Sequence, residues 1–411
     1  MWIIAVHSCI ITGIIFLWCY QLRGTRLASW FLPAISIKII GGWLVGCLYL
    51  YYYSGGDTWN YFTDGLALAK FARTNWMNYI LSWINTDYLP GGLIYTNQPR
   101  ALFMSRIVSI GCLFTQDNYW LISTYFSVLS FGGIWYLVQT LIRFFPRTQY
   151  AVGIAWLTYP SFVFWSSGIL KEAIAVGLIS TLVAQTIRFY YADKKGQTSL
   201  LVMGWLAAAM LLWLVKYYYA AVLVPLLLAI MLAQFIPVGR LSVTAKAVSL
   251  FFILISLATF LHPNLEVDRI LGVIVQNHDT FVQISHTDVI IHFYQLKPTL
   301  ASFLLNAPLA IFSAWYRPLP FDLNTILAQV AGLENCLLLV VSMLALRKVK
   351  LARVVENDVH LWVVAIFLFA ILLGGLLAIS TPNFGTLIRY KVAFSPLLLY
   401  LLLCPLLRRN S

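Results

Sequence analysis

Charge is scarce in this sequence, and acidic charge is scarcest. Asp, Glu, Lys and Arg together make up 10% of 411 residues, with 14 acidic against 27 basic. Soluble domains carry roughly 25% charged residues, so a chain bathed in water over its whole length is excluded. No internal repeat or low-complexity tract is visible, which argues against a transporter built on an inverted repeat. Cysteine is sparse as well. Cys9, Cys19, Cys47, Cys112, Cys336 and Cys404 lie almost wholly within apolar runs and form no C-x-x-C or Cys/His spacing. Neither a disulfide framework nor a structural zinc site follows. His278, Asp279, His286 and His292 match no metal-ligand spacing, so no metal site is expected there.

What the sequence has in abundance is apolar length. Hydrophobic residues make up 61% and aromatics 16%, with a mean hydropathy of +0.84. Runs able to cross a hydrocarbon core of roughly 30 Å recur from end to end, which makes 1–411 a single all-α polytopic membrane domain with no separate soluble part. The run from Trp2 to Tyr20 has no basic residue before it and no small-residue cleavage site after it, and reads as a retained span. The formal charge of +13 does not indicate nucleic acid, because the basic residues cluster at the ends of apolar runs. These clusters are Arg23 and Arg26; Arg143 and Arg147; Arg188, Lys194 and Lys195; Arg240 and Lys246; Arg347, Lys348, Lys350 and Arg353; Arg408 and Arg409. Placing all of them in the cytoplasm gives about eleven spans, with the N-terminus outside and the C-terminus inside. The spans fall at 2–20, 31–53, 119–142, 149–166, 168–190, 199–215, 217–236, 244–262, 324–346, 360–379 and 387–407. The stretches 101–115 and 299–316 break this parity and read as helices lying at the outer interface or dipping in and back. They belong to two long external segments, 54–118 and 263–323. The spacing Gly42-x-x-x-Gly46 in the second span reads as close helix packing.

Most acidic residues fall on the outer side, so the chemistry is expected there. Asp57 follows Ser54-Gly55-Gly56, where glycine lets the backbone turn sharply as a span leaves the membrane. If 57–70 is helical, Asp64 shares its face, with Tyr61 between them. The plainer reading is two solvated carboxylates at a helix start, where the dipole favours them. Lys171 and Glu172 follow Pro160 and the small residues Ser166, Ser167 and Gly168 within otherwise apolar sequence. An ionised pair at that depth marks a site, and a helix start of this kind attracts an anion such as phosphate; the plainer reading is a capped helix start with a snorkelling lysine. Arg389 and Lys391 stand at the outer end of the last span, against the charge rule, and call for an anionic partner such as a lipid phosphate. Arg317 either does the same or pairs with Asp322. Glu334 either hydrogen-bonds within the bundle or completes the site. Lys216, with Tyr217, Tyr218 and Tyr219, marks a tight outer hairpin, as an interfacial anchor or as a further contact to phosphate or sugar.

An acid at the start of the first large external loop, interfacial helices in that loop, many spans, and Arg389-Tyr390 before a final span with Pro396 together resemble the GT-C superfamily of membrane glycosyltransferases. The resemblance covers most of the chain as an architecture. It implies transfer of a sugar from a polyprenyl-phosphate-linked donor to a hydroxyl of a saccharide, lipid or protein acceptor. Asp57 matches the loop acid that serves as base or orienting group, and Arg389 a phosphate-contacting arginine; Lys171, Arg317 and Lys391 would assist the departing phosphate, with Tyr61, Glu172 and Glu334 in support. No cofactor is required, and a divalent metal is compatible with the scheme. The acid lacks an acidic neighbour, being followed by Thr58 and Trp59, and an extra span precedes the loop, so either Asp57 or Asp64 can be the base. The run from Pro160 to Glu172 is similar to sequences of bacterial envelope proteins, which implies a bacterial inner membrane with the site facing the periplasm or exterior. A polysaccharide polymerase relying on external arginines, and a transporter or flippase of lipid-linked substrates, are the alternatives.

Overall fold

A computed structural model of the chain describes residues 2–23, 25, 27–191, 198–237, 239, 241–261, 266–285, 289–323, 325–348 and 357–407. Arg26, Lys194, Lys195, Arg240, His286, Asp288, Lys350, Arg353, Arg408 and Arg409 lie outside the described residues. The helices are α1 (Trp2–Gln21), α2 (Ala28–Cys47), α3 (Asp57–Thr74), α4 (Trp76–Leu81), α5 (Pro99–Thr115), α6 (Tyr119–Phe144), α7 (Gln149–Gly153), α8 (Pro160–Trp165), α9 (Lys171–Tyr191), α10 (Thr198–Ala233), α11 (Val243–Leu261), α12 (Val267–Ile284), α13 (Leu300–Tyr316), α14 (Ile326–Lys348), α15 (Asn357–Ser380), α16 (Phe384–Tyr390) and α17 (Ser395–Leu407). Among the described residues the one isolated β-bridge joins Ile290 and Asn383.

By length and apolar composition eight helices among the described residues can cross a membrane, or nine with the bent pair α16 and α17. The protein is a polytopic helical membrane protein. The count differs from eleven at places with a backbone cause. The stretch 149–166 is divided into α7, a π-helical turn over Ile154–Thr158 and the short α8. Pro160 lacks an N–H and pushes its predecessor out of the helical region, and Tyr159 is extended at φ −67° and ψ 109°. The stretch 199–236 is covered by α10, whose 36 residues would reach about 54 Å if straight, far more than one crossing needs. Its helical geometry fails at Lys216, where φ is −146° and ψ is 76°. The last span is bent by 66° between 384–393 and 395–407.

Two compact units divide the chain. The first comprises Met1–Gln139, Phe162–Thr181 and Trp205–Tyr217. Here the Gly42 and Gly46 spacing does serve close packing. A Cβ at Gly42 would stand 2.3 Å from Ser127 Oγ and 2.9 Å from the Gly168 nitrogen, and one at Gly46 would stand 2.7 Å from the Tyr119 ring. The segment 54–118 folds into α3, α4 and α5 around an apolar core that includes Tyr61, Phe62, Met104, Val108 and Cys112 and is shared with Tyr119, Ile122 and Phe126 of α6. α3 lies hard against α5, because a Cβ on Gly65 would come within 2.7 Å of Val108 Cγ1. Pro99 starts α5, where a missing N–H costs nothing, and Gln116 ends it in the left-handed region at φ 51°.

The second unit comprises Thr140–Ser161, Leu182–Gly204 and Tyr218–Ser411. The apolar stretch 299–316 becomes α13, which packs along α15. Ala314 approaches Gly374, where a Cβ would stand 3.2 Å away, and Trp315 Nε1 donates to the Ala370 carbonyl at 3.1 Å. α12 turns Leu271 and Ile274 inward and exposes polar residues such as Asp268.

Candidate functional site

The first unit assembles a chain of ionisable and aromatic groups running from Asp57 to Arg100. It begins where α2 ends in a π-helical turn over Leu48–Tyr52. Ser54, Gly55 and Gly56 follow at φ 54°, 134° and 124°, and this run of positive φ swings the backbone so that Asp57 opens α3. A Cβ at Gly56 would meet the Tyr49 ring at 2.8 Å, so both conformation and space demand glycine there. The Asp57 carboxylate is half-buried and accepts the Tyr95 hydroxyl at 3.2 Å; Asn60 Nδ2 donates to that same hydroxyl at 3.3 Å. Burial, reinforced by the charge of Asp57, holds the Tyr95 phenol above its ordinary pKa. Tyr95 therefore stays a donor to the carboxylate.

Asp64 lies on the same helix in a different setting. It is 1% exposed and accepts the Ile94 amide at 2.8 Å, the Tyr95 amide at 3.1 Å and the Ser105 hydroxyl at 3.4 Å. Its carboxylate is filled by donors that fix the turn carrying Tyr95. The two carboxylates left open as bases thus differ, one half-buried and one enclosed and holding backbone. Tyr61, expected between them, is buried, with its ring centroid 5.2 Å from that of Tyr95. Lys171 Nζ lies 5.5 Å from the Tyr61 ring centroid, within reach of a cation–π attraction.

Lys171 and its neighbour divide the roles expected of them. Lys171 is half-buried. Glu172 is fully enclosed and receives Lys216 Nζ at 2.8 Å, with side-chain exposures of 0% and 3%. Lys216 is thus the buried partner of Glu172 and not an interfacial anchor, and it sits where α10 loses helical geometry. Next to it, the Tyr217 ring carries the Arg100 guanidinium at 3.7 Å from its centroid. Arg100 opens α5 and is exposed. Asp57, Tyr95, Tyr61, Lys171, Glu172, Lys216, Tyr217 and Arg100 are therefore linked in sequence within one unit.

The remaining expected residues fall in the second unit, where other residues of that unit contact them. Arg317 pairs with Asp322 through Nε at 2.9 Å and Nη2 at 2.7 Å, and stacks 4.6 Å over Phe384. Its donor fork is taken up by that carboxylate, the second of the two readings its sequence leaves open. Lys391, expected at an interface, is 2% exposed and donates to Asn335 Oδ1. Arg389 is buried too, 5.5 Å from the ring of Tyr390. Glu334 accepts Ser161 Oγ at 2.6 Å and the Ser161 amide at 3.2 Å, so it bonds within the bundle. Among the described residues no group of three His, Cys, Asp or Glu gathers as metal ligands, and His278 bonds its own neighbour Asp279.

Sequence reasoning passed over Tyr95, Arg100 as a site member, and Lys38. Tyr95 sits in an irregular turn with no periodicity to mark it. Lys38 carried a signal: it is the one cation in the apolar run of α2, the situation that made Lys171 conspicuous. No protein-family model, curated protein or solved structure matches the chain.

Proposed function

We propose that the protein is a membrane glycosyltransferase that moves a sugar from a polyprenyl-phosphate-linked donor to an acceptor hydroxyl, at the first unit's chain of groups. The observation that carries this reading is the link from the half-buried Asp57 through Tyr95 and Tyr61 to Lys171. It gives one unit both a carboxylate and cations, the two things such a transfer needs.

In this reading the acceptor O–H gives its proton to Asp57 as its oxygen bonds to the anomeric carbon. The bond from that carbon to the phosphate oxygen breaks, and the electron pair leaves with the phosphate. Lys171 and Arg100 offset the charge that grows there. Attack opposite the leaving group inverts the anomeric centre. Asp64 and Tyr95 orient the base, and Glu172 and Lys216 support the helix start from which Lys171 extends. The exposed Trp76, Met77 and Ile84 of the α3–α5 segment suit contact with lipid beside an outer-face site in a bacterial inner membrane. Any divalent ion would add to the cations.

The test is transfer from a polyprenyl-phosphate-linked sugar by purified protein. Asp57→Asn should lower the rate about 10² to 10⁴-fold while expression and elution volume stay unchanged. Full activity in this variant would remove the acid from the mechanism and with it this reading.

A second reading, movement of a lipid-linked substrate across the membrane, gains support from the interruptions at Tyr159, Lys216 and Phe394, since broken spans serve many transporters. Substrate crossing into sealed vesicles without covalent change would favour it.

A further inference from the structure

Lys38 is a lysine that the transfer chemistry does not use. It is the eleventh of the twenty residues of α2 and is 2% exposed. A charged amine at mid-span is retained only where something requires it. Its partners are the Ser166 carbonyl oxygen and Ser166 Oγ, with the Phe162 ring 5.6 Å away. Among the described residues it makes no ion pair with a carboxylate. A Lys–Ser pair suggests a nucleophile and its base, but both side chains are enclosed, and Ser166 Oγ gives its own proton to the Phe162 carbonyl. No substrate can approach it there.

What Lys38 holds is the break between α8 and α9. A broken helix leaves backbone groups unpaired, and each needs a partner. The break has several. Ser130 Oγ donates to the same Ser166 carbonyl at 3.0 Å, and the Gly168 amide donates to Ser127 Oγ at 3.0 Å. Ser123 Oγ donates to the Gly42 carbonyl at 3.0 Å, tying α6 to α2 beside it. Gly168 adopts φ 71°, and a Cβ there would stand 2.9 Å from the Gly42 carbonyl oxygen. The chain therefore has one way through this cradle. Three residues later it delivers Lys171 to Tyr61 and Glu172 to Lys216.

We infer that Lys38, with Ser127 and Ser130, is a positioning device that fixes the 166–170 break and so sets where Lys171 meets an anionic donor. This rests on the transferase reading for the ligand, though not for the mechanics. If Lys38 served stability alone, its loss would soften the whole unit and leave the anion contact of Lys171 intact.

Two measurements on purified protein separate these cases. In hydrogen exchange, Lys38→Gln should lower protection in peptides covering 166–173 and leave α3 and α5 unchanged. Unaltered exchange in 166–173, or loss spread evenly through the unit, would overturn the inference whatever the ligand. The second measurement is binding of farnesyl phosphate in detergent. Lys171→Ala and Lys38→Gln should each weaken it about tenfold or more, and the double variant should be no weaker than Lys171→Ala alone. Effects that multiply would show that Lys38 does not act through Lys171 and would overturn it. Should the unaltered protein fail to bind farnesyl phosphate, the donor reading falls, and the exchange result alone decides the positioning role. Should Lys38→Gln not yield monodisperse protein, Ser127→Ala, which removes the acceptor of the Gly168 amide, takes its place in both measurements with the same expectations.

Discussion

The Glu172 and Lys216 pair allows the enclosed part of the chain of groups to be tested without any substrate. Their nitrogen and oxygen are 2.8 Å apart and their side chains are 0% and 3% exposed. Enclosing two charges costs several kcal/mol per ion, which their mutual attraction at this distance roughly offsets. Removing one partner upsets that balance, because the survivor keeps its desolvation penalty. Lys216→Met should therefore destabilise the protein by about 3–5 kcal/mol, as should Glu172→Leu. The double variant leaves no stranded charge and puts apolar volume in the same space, so it should be more stable than either single variant, which requires a coupling larger than one single loss, that is, above about 3–5 kcal/mol. The assay is thermal and denaturant unfolding of purified protein in one detergent, for the four members of the cycle. Single losses below about 1 kcal/mol that simply add in the double variant would mean that the two side chains are solvated and not paired, since exposed pairs contribute only about that much. That result would also detach Lys216 from the chain of groups that reaches Arg100.

Asp64→Asn replaces a carboxylate that accepts two backbone amides with a group that has one acceptor oxygen. Unfolding should show a loss of about 1.5–3 kcal/mol with only partial loss of transfer; an unchanged unfolding midpoint with abolished transfer would make Asp64 the base instead. Burial alone would raise the Asp322 carboxyl, but the Arg317 hydrogen bonds and the Leu319 amide outweigh it and hold the group below its ordinary value of 3.8. A carboxylate depressed in this way stabilises fully above that value and stops doing so as pH falls through the lower, folded value. Protection from hydrogen exchange over residues 317–322, taken relative to the intrinsic rate at each pH, should accordingly fall on acidification below about pH 3.8 in the unaltered protein, while Asp322→Asn should show low protection at every pH; equal protection profiles would mean that the pair does not hold this turn.

Membrane class and helix content were legible because they depend on composition and run length, which are local. The break at Tyr159 was signalled by Pro160, yet 149–166 still read as one span, because hydropathy does not register a single non-helical residue. The polar sequence around Lys216 reads as a hairpin, while the deciding feature of the break, a buried partner 44 positions earlier, leaves no periodic trace. Asp57 was visible through the two glycines before it. That Asp64, one helical face along, would be spent on backbone amides depended on where residues 91–96 pass, and loops carry no pattern that fixes their path. Arg317 had Asp322 five residues away, so the paired reading was available locally. Lys391 had no such hint, because Asn335 lies 56 residues before it.

A common physical problem connects the buried charges to the broken helices. Within a span each ionised group needs compensation, and each helix break frees backbone groups that need it too. Placing the two together lets one answer the other. Lys38 takes the Ser166 carbonyl at the end of α8, and in the second unit Glu334 takes the Ser161 amide at the start of the same short helix. Lys216 is itself the interruption of α10, and Lys391 precedes the bend at Phe394. Lys38, Lys216 and Lys391 are enclosed and Glu334 is half-buried, and all four hold the chain in place. In the first unit's chain of groups, by contrast, Asp57 and Lys171 remain half-buried and Arg100 exposed, while Glu172 and Lys216 are enclosed between them. A reacting molecule can meet only charges that keep some exposure, so the proposed transfer assigns its chemistry to Asp57, Lys171 and Arg100 and gives the buried Glu172 and Lys216 a holding role.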